Sequence, residues 1–141
     1  MKTYSHLWKN FIVFLFFIFT TTTFAQSGND NCSNATALTL GTTCSNTAFT
    51  FTSNTVETGA ANPALCNAVT ASRDGWYTFT TGPSTNQITL EATTNRPWVV
   101  SIYSGNCSGF SQIACNNAGQ NTAITLNPTV LPNTTYYIRI G

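Results

Sequence analysis

Charge is nearly missing from this sequence. Only 6% of its 141 residues are Asp, Glu, Lys or Arg, five basic against four acidic, where a globular protein carries about a quarter. A formal charge of +1 builds no polybasic patch and no acidic tail, so nucleic-acid binding and long-range electrostatic steering are excluded as its work. After residue 25 there is no histidine, no lysine and no methionine. That excludes Ser-His-Asp and Cys-His nucleophile activation, Schiff-base chemistry and the Ser-Lys dyad, and with them the usual histidine-containing zinc sites. C-x-x-C is absent too, which removes the commonest redox and zinc-ribbon patterns.

Amide and hydroxyl groups stand in for charge: 16 Asn and 27 Thr, with 9 Gly and 5 Pro, suit strands and turns better than helices. The first 25 residues read as a secretory signal peptide. Lys2 and Lys9 lead into an unbroken apolar run from Phe11 to Phe19, too short for a bilayer span of about 20 residues. Cleavage after Ala25 leaves small residues just before the cut. Residues 26–141 then form one domain with no transmembrane segment, carrying three arginines (Arg73, Arg96, Arg139) against Asp30, Glu57, Asp74 and Glu91.

Cys32, Cys44, Cys66, Cys107 and Cys115 all lie in the exported part, where an oxidising compartment makes disulfides of them. Five is odd, so one is left without a partner in this chain. Locality favours Cys107 with Cys115, a nine-residue loop contributing about 2 to 3 kcal/mol on the chain-entropy model. Of the rest, Cys44 with Cys66 would pin the long irregular connection over 54–73, which also holds Pro63.

Short period-two runs recur between turn residues, with no helical period of useful length. They are Leu38–Leu40, Phe49–Phe51, Trp76–Thr80, Gln87–Ala92, Trp98–Ile102, Gln112–Cys115, Ile124–Leu126 and Tyr136–Ile140. Segments such as Gly82-Pro83-Ser84, Ser104-Gly105-Asn106 and Asn116-Asn117-Ala118-Gly119 have turn chemistry between them. About eight short strands predict an all-β fold, an antiparallel β-sandwich of jelly-roll or Greek-key type.

Four motifs stand in order: Asn29-Asp30-Asn31-Cys32-Ser33-Asn34-Ala35, then Asp74-Gly75-Trp76-Tyr77-Thr78-Phe79, then Tyr103-Ser104-Gly105-Asn106-Cys107 with Ile113-Ala114-Cys115-Asn116, and last Tyr136-Tyr137-Ile138-Arg139-Ile140-Gly141. Together they resemble the pre-peptidase C-terminal-like (PPC-like) β-sandwich domains of secreted, multidomain surface proteins of Bacteroidetes-type bacteria. The resemblance covers nearly all of 28–141 and implies an accessory, non-catalytic domain. Two departures stand out. Gly75 replaces the apolar residue usual between Asp and Trp, which is expected to loosen that strand. The family's final strand after the Tyr-Tyr-Ile-Arg segment is not in the sequence, so the domain is expected to be incomplete at its C-terminus, with an open edge that promotes self-association.

Candidate sites follow from residue type. Glu57 and Glu91 sit on different expected elements with no motif around them, so they make no glycosidase pair, and no catalytic residue and no metal ligand is assigned. Asn29, Asp30 and Asn31 offer clustered oxygens, and some relatives in the resembled family bind calcium. One carboxylate is thin for an ion wanting six to eight oxygens, so no cofactor is expected and calcium stays the alternative. Asp74 is expected to accept backbone N–H groups in the turn before its strand. Trp76, Trp98 and Tyr136 are expected to fill the core, leaving Tyr77, Tyr103 and Tyr137 on the opposite parity as ligand contacts. The whole reads as a secreted or cell-surface module that spaces, or adheres to extracellular polysaccharide or protein, within a longer protein. The alternative is an N-terminal accessory domain of a secreted peptidase or other hydrolase.

Overall fold

The computed structural model describes residues 28–44, 46–51, 54–57, 63–66 and 71–141. The expected leader, residues 1–25, lies outside them. After a 3₁₀ turn (Cys32–Asn34) come β1 (Thr36–Ala37), β2 (Gly75–Thr80), β3 (Leu90–Ala92), β4 (Trp98–Asn106), β5 (Gly109–Ala118), β6 (Ile124–Leu126) and β7 (Thr135–Ile140). A five-stranded sheet, ordered β1-β2-β7-β4-β5, packs on the two-stranded sheet β3-β6, which makes a β-sandwich. All pairings are antiparallel except the short parallel contact of β1 with β2.

Alternation decides the core. Tyr77 and Phe79 of β2, Trp98, Val100 and Ile102 of β4, and Tyr136, Ile138 and Ile140 of β7 face Ile124, Leu126 and Val130 in one buried cluster. Each such side chain contributes about 1.5–3 kcal/mol when taken from water. Leu38, Phe49 and Phe51 pack against this cluster without forming the strands expected of them. Phe51 also explains Gly75: a Cβ there would stand 2.2 Å from the Phe51 ring, so the missing side chain makes room for an aromatic one and the strand is not loosened.

Two expected turns are strand instead. β4 runs through Ser104-Gly105-Asn106 and β5 through Asn116-Asn117-Ala118, so the hairpin turns at Cys107 and Ser108. Gly105 permits this at φ +101°, where a Cβ would meet the Gly109 carbonyl oxygen at 2.2 Å. A register shift between Ile102 and Tyr103 adds a bulge, which bends and twists the hairpin.

The hairpin also corrects the disulfide pattern. Cys107 lies in its turn and Cys115 six residues into β5, about 20 Å along a strand, far beyond the 7 Å Cα separation that a disulfide tolerates. Cys107 is bonded to Cys32, with Cα atoms 5.8 Å apart, and Cys115 to Cys66, at 5.4 Å. The expected Cys44–Cys66 bond is therefore also replaced, and Cys44 is an exposed free thiol.

The run that ends the sequence is an inner strand. β7 is paired on both sides, by β2 and β4, and Gly141 exchanges both main-chain hydrogen bonds with Val99 at 2.8 and 3.0 Å. Neither side of β7 is therefore an open edge; among the described residues the five-stranded sheet ends at β1 and β5.

Candidate functional site

The face of the five-stranded sheet that turns away from the core changes character along its length. Three cross-strand pairs of β2 and β7 share it: Trp76 with Arg139, Thr78 with Tyr137, and Thr80 with Thr135. The first pair is buried, the second half-buried and the third exposed.

At the buried end the segments 29–35, 54–57 and 63–66 form a covering layer. Asn29 accepts the Trp76 N–H at 2.8 Å, and Asp30 takes the Thr55 hydroxyl at 2.9 Å. Glu57 accepts the Cys32 N–H at 2.9 Å. Beneath them Arg139 Nε donates to Asp74 Oδ2 at 2.6 Å and Nη1 to the Pro63 carbonyl at 2.8 Å. The guanidinium also lies 5.4 Å from the centre of the Trp76 ring, within cation–π range. Burial pushes the Asp74 carboxyl above its ordinary range, against the pull of Arg139. Asp74 is thus half of a buried ion pair, 0% exposed with Arg139 at 1%, which corrects its expected role in a turn.

The aromatic assignments shift for the same reason. Trp98 and Tyr136 fill the core as expected, but Trp76 lies on the opposite face with Tyr103, stacked on Phe110 at 5.2 Å. Tyr77 is in the core. Tyr103 is 0% exposed, and its hydroxyl donates to the Ala64 carbonyl at 3.1 Å. Neither is placed for a ligand. Tyr137 alone of the three keeps partial access, set edge-on to Phe110 at 5.2 Å. The parity reading assumed that the outer face meets water, and half of that face is roofed.

Across the sheet edge lies a groove that the sequence did not signal. Leu38 donates its N–H to the Thr78 carbonyl at 2.7 Å; a groove of about 580 Å³ lies between residues 37–42 and the end of β2. Threonines line it: Thr39, Thr42, Thr78, Thr80 and Thr85, with Leu40 as an exposed apolar lip. Among the described residues no charged side chain contributes to the lining. Each hydroxyl offers one donor and two acceptor positions, and the groove is shallow and open, with residues 39–42 exposed along its rim. The only sequence hint was the density of threonine on either side of it. Among the described residues no group of three or more acidic, Cys or His side chains is placed to hold a metal ion, and no helix is long and apolar enough to cross a membrane.

Comparison with known families places this fold. Residues 28–141 match the family described as galactose binding domain-like and associated with T9SS. The chain belongs to that family. The match is not specific to pre-peptidase C-terminal-like domains; it supports a β-sandwich of the kind found in T9SS-associated surface proteins. Together with the disulfides it makes this a secreted or cell-surface protein. No curated protein and no solved structure matches the chain.

Proposed function

We propose that the chain is an exported, non-catalytic module that attaches a longer surface protein to neutral extracellular polysaccharide through the groove between residues 37–42 and β2. The observation that carries this reading is the chemistry of the groove. It is concave, lined by hydroxyls, edged by Leu40 and free of charge, which suits an uncharged polyhydroxylated ligand and offers nothing to an anionic one. Family membership supports the saccharide class. The resemblance to pre-peptidase C-terminal-like domains supports an accessory role, whether the rest of the protein adheres or hydrolyses. Protein ligands remain the rival, since a hydroxyl-lined groove also accepts backbone amides.

Affinity electrophoresis of the secreted protein tests the reading. Gels cast with soluble galactan retard the wild type, gels with polygalacturonate do not, and Leu40→Arg, which places a long charged side chain on the exposed lip, abolishes the retardation. Equal mobility in every neutral polysaccharide would overturn it.

A further inference from the structure

The groove has an extension. Thr78 and Thr80 line it, and the same two residues begin the uncovered part of the outer sheet face, paired across β7 with Tyr137 and Thr135. The Thr80 and Thr135 hydroxyls are 2.9 Å apart, held as a pair whose remaining donor and acceptor positions face outward. Beside them the Tyr137 ring is half-buried, supported edge-on by Phe110. This facet measures about 5 Å between strands and 7 Å along them, room for a further ring beside the groove.

Its charge is as telling as its shape. The nearest cation on this face is Arg139, which is 1% exposed and bound to Asp74 beneath the covering layer, so it cannot reach a ligand lying on Thr78 and Tyr137. From these juxtapositions we infer that the site takes an extended, uncharged polysaccharide chain rather than a single terminal sugar: one stretch lies in the groove, and the next residue lies on the Thr80–Thr135 pair with its apolar face on Tyr137. Hydroxyl pairs fit the equatorial edge of a sugar, and an aromatic ring fits its C–H face. This inference rests on the groove reading, but its failure looks different.

Isothermal titration with β-1,4-linked galacto-oligosaccharides of one to six residues separates the two. The wild type is expected to gain affinity by about tenfold once the oligomer is long enough to leave the groove, the worth of one or two added net hydrogen bonds. Thr135→Val, which keeps the side-chain shape and removes the hydroxyl, and Tyr137→Ala should each remove that gain while leaving the affinity of the shortest binding oligomer unchanged. Thr135→Arg should block long oligomers only. Thermal melts of the variants within a few degrees of wild type confirm the fold. Affinity that levels off at the shortest oligomer, with both variants indistinguishable from wild type, overturns the extension and leaves the groove standing. No binding of any length overturns both.

Discussion

Ile138 and Arg139 are neighbours on β7, yet they point into two different interiors. Ile138 enters an apolar cluster closed by β3 and β6, the sheet-on-sheet packing that alternating strands produce without help. Arg139 enters a layer made of loops, where the stabilising contacts are an ion pair, a cation–π contact and carbonyl caps. Among the described residues Trp76 Nε1 is buried on this side without a hydrogen-bond partner. Both disulfides also lie here, tying the covering segments to the β4–β5 hairpin. Irregular chain buries polar backbone and little apolar area, so a face roofed by loops depends on covalent and ionic fastening that a face roofed by a sheet does not.

Reduction should break this contrast most strongly. The bonds span sequence separations of 75 and 49 residues, and on the chain-entropy model each contributes about 4 kcal/mol. A melt in reducing agent is expected to show the largest loss of Tm of any change considered, accompanied by exposure of Trp76 in fluorescence. A Tm insensitive to reduction would mean that the covering layer holds without its staples.

Next comes the ion pair. Arg139→Ala leaves a buried carboxylate alone and should cost about 3–5 kcal/mol, whereas Ile138→Val on the other face should cost about 0.5–1.5 kcal/mol. Asp74→Leu combined with Arg139→Met should regain most of the loss, because two buried charges are removed together. Denaturant midpoints for the four proteins measure this, and a double variant no better than Arg139→Ala would show that the arginine acts through its bonds to the loop rather than by neutralising Asp74.

Gly75 gives a smaller effect. Gly75→Val must push the Phe51 ring aside, an overpacking cost of about 1–3 kcal/mol. Adding Phe51→Leu should relieve part of it. Additive losses in the double variant would argue against contact between the two positions.

The smallest effect is titration of the covering layer. Burial raises the Glu57 carboxyl above its ordinary 4.5, only partly offset by the Cys32 N–H, and Asp74 is raised from 3.8. A carboxyl held higher in the folded chain than in the unfolded one binds its proton more tightly when folded. Its contribution is greatest at low pH and is lost as pH rises from the ordinary value through the raised one. As pH falls from about 7 to about 4.5 the wild-type Tm should therefore rise slightly, and Glu57→Gln should flatten that slope. A Tm that falls steadily over this interval, equally in both proteins, would show that Glu57 carries none of it.

Period two and turn residues made the β-sandwich legible, along with the core positions Trp98, Val100, Ile102, Tyr136, Ile138 and Ile140, because alternation is a local property of the chain. Composition alone excluded histidine- and lysine-dependent catalysis by residues after position 25. What lay beyond the sequence were relations between distant segments. That Cys107 reaches Cys32 and Cys115 reaches Cys66, that Asp74 meets Arg139, and that Phe51 fills the space above Gly75 depend on how loops cross the sheet, and no periodicity encodes that. Parity separated the two faces of the sheet at Tyr103 and Tyr137, but which face meets water was settled only when the loops roofed one end of it. The groove belongs to the same class: its threonines come from 39–42 and 78–85, and only the divergence of chain from β2 after Leu38 makes a site of them.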